Sequence, residues 1–247
     1  MKIAVIGGQG LIGSKVVAKL RDGGHDVIAA SRRSGVNSLT GEGLTNALAG
    51  VDVVVDVADS PSFEDDAVLH FFTTATSNLL VAERENDVAH HVALSVVGSR
   101  RMPDSGYNSA KGAQEKLIEA SGRPFTIVRS TPFYEFGIIL ADSATSGEVV
   151  RLPPARFRPI AADDVATAVA AAATADARNG AAEIAGPESM PMDDYVRKAL
   201  VAARDQRVVI TDAKAPYFGA VIDDDTLAPD DDATIYPTRY ADWLGTR

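Results

Sequence analysis

Lys2–Ile6 is a short, largely apolar run, and Gly7-Gly8-Gln9-Gly10-Leu11-Ile12-Gly13 follows it without a break. Behind the glycines, Leu11, Ile12, Val16, Val17 and Leu20 recur at helical spacing and form one apolar stripe. A strand, a glycine turn and a helix must therefore follow one another. Gly7 permits a tight turn out of the strand, Gly10 lets backbone approach a pyrophosphate, and Gly13 lets the helix pack close to the strand. The helix start then offers free N–H groups and the positive end of its dipole to phosphate. A bare glycine pattern also fits a ligand-free turn. The strand before it and the helix after it favour a dinucleotide-binding loop, with Gln9, Leu11 and Ile12 beside the glycines.

The next strand sharpens the choice of ligand. In NAD-binding units an acidic residue about twenty positions on takes the ribose 2′-hydroxyl. Here Asp26–Ala30 reads as the second strand and ends in Ser31-Arg32-Arg33. A hydroxyl and two guanidinium groups suit a 2′-phosphate, which a carboxylate would repel. The expected cofactor is NADP(H). The pattern does not separate Arg32 from Arg33, and the plainer reading of both is surface charge.

Strand and helix continue to alternate. Asp52–Val57, His91–Ser95 and Phe125–Arg129 read as strands, with helices over Phe63–Asn86 and Asn108–Ala120. Such alternation implies right-handed crossovers and a mostly parallel sheet. The expected fold is α/β, a Rossmann-type doubly wound parallel sheet in one domain over residues 1–247. Residues from about 131 onward are expected to supply a small C-terminal substrate lobe.

Composition narrows the partners. The net charge of −10 disfavours nucleic acid. The absence of cysteine excludes disulfides, thiolate catalysis and cysteine-based zinc sites. Glycines interrupt the apolar start and no stretch has the length of a membrane span, so a cytoplasmic protein with no membrane partner is expected. A homo-oligomer is compatible with the sequence, which does not fix the oligomeric state.

Tyr107 and Lys111 stand four apart at the start of a helix and share a face, and Ser95 ends the strand upstream. An ammonium beside a phenol stabilises the phenolate and lowers its pKa. A serine hydroxyl can hold a carbonyl oxygen while hydride adds to the carbon. Lys111 can also bond the nicotinamide ribose. The plainer reading makes Tyr107 a packing residue at a helix start. The adjacent His90 and His91 point to opposite faces of a strand, so one is expected buried and one exposed, with no shared metal. Asp163 or Asp164 is expected to cap the helix that runs to Thr174. Phe133, Tyr134 and Phe136 follow the fifth strand, where they either wall an apolar substrate pocket or pack the core.

Taken together, Gly7–Gly13, Ser31–Arg33, Ser95 ahead of Tyr107 and Lys111, Thr126-Ile127-Val128-Arg129-Ser130-Thr131-Pro132 and Ile160-Ala161-Ala162-Asp163-Asp164-Val165-Ala166 resemble the short-chain dehydrogenase/reductase superfamily in its atypical, NmrA-like branch. The resemblance implies that Ser95, Tyr107 and Lys111 match the superfamily's catalytic Ser, Tyr and Lys. It also implies that Val57, Ala58 and Asp59 line the cofactor. Asp59-Ser60-Pro61 stands where the superfamily often has an Asn-Ala-Gly-like turn. The implied activity is NADPH-dependent hydride transfer to a small carbonyl or quinone-like acceptor. The alternative is a catalytically silent sensor, since members of this branch often lose the Tyr and some only sense the nucleotide. Nucleotide-sugar epimerisation is weaker, because such enzymes usually hold NAD.

Overall fold

Apolar runs rich in β-branched residues make most of the strands, and Gly7 and Gly186 directly follow two of them. In chain order the computed structural model, which describes residues 1–102 and 105–246, runs β1 (Lys2–Ile6), α1 (Leu11–Asp22), β2 (Asp26–Ala30), α2 (Leu44–Ala47), β3 (Val53–Asp56), α3 (Asp65–Glu85), β4 (His90–Val96), α4 (Gly106–Ala120) and β5 (Phe125–Ser130). The second half adds α5 (Gly137–Ser143), β6 (Thr145–Ser146), β7 (Val149–Leu152), β8 (Arg156–Phe157), α6 (Ala162–Thr174) and β9 (Gly180–Ala185). It ends with β10 (Met190–Pro191), α7 (Met192–Ala202), β11 (Val208–Thr211), β12 (Thr234–Ile235) and α8 (Tyr240–Leu244).

Seven strands form one sheet in the order β12-β9-β5-β4-β3-β1-β2, and every neighbouring pair is parallel. The order reverses at β1. Ligands of doubly wound sheets bind at such a reversal, beyond the carboxyl ends of the strands. Here that places the crevice above β1 and β3, the elements that carry the glycine turn and Val57–Asp59.

Both faces of the sheet are covered. Ile3 and Val5 of β1 pack with Ile12, Val16 and Leu20 of α1 and Val165 and Val169 of α6. Their neighbours Ala4 and Ile6 face the other way, toward Leu79 and Ala82 of α3. This alternation on two dry faces explains why β3 is nearly pure valine. A further apolar cluster gathers residues of the second half, including Tyr134, Phe157, Tyr195 and Tyr240. Among the described residues, no helix is long and apolar enough to cross a membrane.

Two expectations are corrected. His90 and His91 are both buried, at 6% and 1% exposure, because neither sheet face meets solvent there. His90 Nε2 lies 2.9 Å from Thr126 Oγ1, and His91 Nδ1 lies 2.6 Å from Glu83 Oε1. Nor do Asp163 and Asp164 cap α6. The residue before that helix is Ala161, with no side-chain cap, and Ala162 N–H donates to Glu135 Oε2 at 3.1 Å. Asp163 instead accepts from Lys19 at 3.0 Å and joins α6 to α1, while Asp164 accepts from Thr238 N–H at 3.1 Å.

Candidate active site

The glycine turn is tightly packed at Gly7 and Gly13 and open at Gly10. Gly7 has φ +79°, and a β-carbon there would lie 2.8 Å from Val57 O. At Gly13 the same carbon would lie 2.1 Å from Gly7 O. α1 thus lies against the turn as only a glycine allows. Gly10 differs: an added carbon would meet only Gly7 O, at 3.3 Å, within 4 Å. Its outer side is open. α1 begins at this residue without a side-chain cap, which leaves its first N–H groups to a ligand.

A cleft of about 410 Å³ opens over the turn. Gly7, Gln9, Gly10, Leu11 and Ile12 line it, with Val57, Ala58 and Asp59 beside them. Ser31 and Arg32 line one end, and Ser95, Tyr107 and Lys111 also face it. Gly13 is buried beneath the turn, and Arg33, exposed on the short 3₁₀ turn Arg32–Ser34, is outside the lining. The buried Ser31 hydroxyl has no partner within the protein. An open glycine cradle, an uncapped helix start and a buried hydroxyl without a partner fit a dinucleotide.

Residues 7–176 match the NAD(P)H-binding family. This chain belongs to that family. A relative, the photosystem II assembly factor Ycf39 of Synechocystis, is 22% identical over 149 residues, covering 55% of this chain and 46% of that protein. The match thus spans about half of the relative's length. The NADPH-dependent quinone oxidoreductase QOR2 of Escherichia coli, solved with NADPH, superposes with TM-score 0.68 at 18% identity over 99% of both chains. The UDP-glucose 4-epimerase of Thermus thermophilus, solved with NAD, gives 0.69 at 18% over 100% of this chain and 94% of that one. The dTDP-4-dehydrorhamnose reductase of Yersinia enterocolitica gives 0.71 at 14% over 99% of both. At these identities the likeness establishes the fold. It agrees with the short-chain dehydrogenase/reductase resemblance read from the motifs.

Around this NAD(P)H-binding frame the polar side chains are closely tied. Tyr107 O–H donates to Asp59 Oδ1 at 3.2 Å, and its ring packs on Phe72 edge-to-face at 5.7 Å. Burial, then the Asp59 carboxylate, pushes the phenol well above its ordinary value. The lowering expected from Lys111 is thus reversed. Lys111 Nζ donates to Leu94 O at 2.8 Å and to Gln114 Oε1, and it lies 4.3 Å from the Phe72 ring centre. Burial lowers its pKa against the pull of Asp56 and Asp59. Gln114 Nε2 donates in turn to Asp56 Oδ2 at 3.0 Å, and burial raises the Asp56 carboxyl.

Ser95 takes an unexpected partner. Its hydroxyl donates to Glu115 Oε1 at 2.5 Å. Glu115 also accepts from Arg129 at 2.8 and 3.0 Å and from Ser99 at 3.0 Å. Burial pushes Glu115 up, but the hydrogen bonds from Arg129 and Ser95 outweigh it and hold the acid below its ordinary value. Sequence reasoning missed Asp56, Gln114 and Glu115. Two signals were present: Gln114 and Glu115 stand three and four residues beyond Lys111 on one helix face, and Asp56 ends the otherwise all-valine β3.

Proposed function

We propose that this protein is an NADPH-dependent oxidoreductase that passes hydride to a small carbonyl or quinone-like acceptor. One observation carries the reading: the glycine turn, the Ser31–Arg32 end and the Tyr107–Lys111 face share a single cleft. When bound there, NADPH supplies the hydride. The backbone at Gly10 and the start of α1 hold its pyrophosphate. Ser31 and Arg32 hold the 2′-phosphate, and Arg33 adds charge from outside the lining. Val57, Ala58 and Asp59 border the cofactor on the β3 side. Lys111, fixed through Gln114 and Asp56, presents its ammonium to the nicotinamide ribose.

Tyr107 supplies the proton. Its raised pKa keeps the phenol neutral across the physiological range, so a hydrogen is present to donate as negative charge grows on the acceptor oxygen. For a carbonyl acceptor the alkoxide formed is a far stronger base than a phenolate, so the transfer runs downhill. Ser95, engaged by Glu115, anchors α4 to β4 in this arrangement, and orienting the acceptor falls to Tyr107 and to the apolar wall at Phe133 and Phe136. We assign the substrate lobe to residues from about 131 onward other than α6, β9 and β12, which belong to the central sheet and its cover.

Tyr107→Phe tests the reading. Turnover of a carbonyl or quinone acceptor should fall by about 10²- to 10⁴-fold while NADPH affinity stays within twofold (roughly 0.4 kcal/mol). An unchanged rate removes Tyr107 from the mechanism. The Ser95–Glu115 and Tyr107–Asp59 hydrogen bonds, which engage both hydroxyls internally, favour a second reading as a nucleotide sensor. Binding of NADPH and NADP⁺ with no consumption of either across both acceptor classes would select it.

A further inference from the structure

A second cavity, of about 90 Å³, adjoins the cofactor cleft. The two share Asp59, Val96, Tyr107, Phe133 and Phe136, so whatever occupies the second lies against Tyr107. Its outer wall comes from remote parts of the chain. Phe63 stacks on Phe218 at 6.2 Å between ring centres and 19° between planes, and lies tilted at 40° to the Tyr107 ring at 6.3 Å. Phe63 is 53% exposed. Tyr217 and Leu227 close the far side.

Charge and size decide what fits. Asp59 is the only charged residue among the described residues of the lining, so an anion would face repulsion with no compensating cation. A nucleoside diphosphate sugar brings two phosphates, which call for Arg, Lys or a helix start. At about 90 Å³ the chamber is smaller than the cavity of about 150 Å³ that holds one benzene ring, so a single ring fills it and extends into the adjoining cleft, and a nucleotide sugar exceeds it. Flat aromatic walls favour a flat, uncharged ring through offset and edge contacts. Besides Asp59, the polar side chains of the lining are Tyr107, Asn108, Thr131 and Tyr217, and of these Thr131 is the one whose hydroxyl is buried without a partner. Thr131 is fully buried.

We propose that this chamber is the acceptor site, that it takes an uncharged compound with a single flat ring bearing an oxygen, such as a quinone or an aromatic carbonyl, and that Thr131 bonds that oxygen. This rests on the reading of the adjoining cleft as the nicotinamide site. The chamber selects against anionic acceptors, nucleotide sugars included.

Unreactive probes test it without turnover. Saturation-transfer NMR on the full chain, with and without NADPH, should show phenol bound and benzoate and UDP-glucose not bound; phenol is neutral at pH 7. Phe63→Ala, at an exposed position, should weaken phenol several-fold and leave NADPH affinity unchanged. Thr131→Val should weaken phenol and leave toluene unaffected. A purely structural Thr131 would instead leave phenol unchanged, since replacing an unpaired hydroxyl is neutral or stabilising. Benzoate or UDP-glucose binding as well as phenol, or phenol indifferent to Phe63→Ala, overturns the chamber. Equal losses of phenol and toluene, or none, remove Thr131 from it. Phenol bound without any NADPH affinity would instead overturn the cofactor reading and spare the chamber.

Discussion

Replacing Gly13 and Gly10 by alanine, one at a time, separates the packing role of the turn from its binding role. At Gly13 the new carbon would lie 2.1 Å from Gly7 O, 2.7 Å from Gly7 C and 2.8 Å from Gly8 Cα. All three are backbone atoms and cannot swing aside. α1 must lift from the turn, and overpacking of this kind costs about 1–3 kcal/mol. A domain of this size loses about 2–4 °C of melting temperature per kcal/mol, so the expected fall is roughly 2–12 °C. Helix propensity alone would favour alanine by about 1 kcal/mol, so the two effects have opposite signs and the melt reads which one wins. At Gly10 the backbone is extended, with φ −79° and ψ −177°, and the new carbon meets only Gly7 O at 3.3 Å. The melting temperature should move by less than about 2 °C. The methyl would project where the pyrophosphate approaches, and NADPH affinity should drop at least about tenfold. Thermal melts by circular dichroism and fluorescence titrations with NADPH measure both. A Gly13→Ala protein as stable as the parent, or a Gly10→Ala protein with unchanged affinity, refutes the reasoning.

Other positions give sharper or simpler readouts. Burial alone would lower His91, but the Glu83 carboxylate raises it above its ordinary 6.5. Its contribution is then fully present below pH 6.5 and lost as pH rises through the raised value. Urea midpoints should fall across that window, and Glu83→Gln should flatten the slope; an identical slope in the variant contradicts the pairing. Ser95→Ala removes a hydrogen bond to a carboxylate and should lower stability by about 1.5–3 kcal/mol with less than tenfold loss of turnover. A collapse of kcat with unchanged stability would return Ser95 to the reaction itself. Asp59→Asn should lower the Tyr107 pKa, because the carboxylate contributes to its rise. The alkaline limb of the pH–rate profile should move to lower pH, and a stationary limb would detach Asp59 from Tyr107.

Features encoded in neighbouring residues were legible in the sequence. The strand–glycine–helix succession, the Ser31–Arg32 end of β2 and the valine-rich β3 each depend on local pattern and chain direction, and the sheet assembles from them. Contacts between distant segments were not legible. Glu115 collects Ser95, Arg129 and Ser99 from three segments, and no spacing rule announces such a convergence. Alternation along β4 suggested an exposed histidine, yet α-helices cover both faces, so His90 and His91 are both enclosed. The Asp163-Asp164 pair carried a strong capping pattern, but Lys19, far back in the chain, holds Asp163. Phe63 and Phe218 meet only after the C-terminal segment folds back over the sheet.

Fluorescence titration of the protein with NADPH and with NADH, repeated on Arg32→Ala, tests the cofactor assignment most directly. A hydrogen-bonded charge pair with phosphate contributes about 1.5–3 kcal/mol, which corresponds to roughly 10- to 150-fold in affinity. NADPH should bind tighter than NADH by about that factor, and Arg32→Ala should bring the two together by weakening NADPH alone. Equal affinities in the parent protein, or an NADPH affinity indifferent to Arg32, would contradict it.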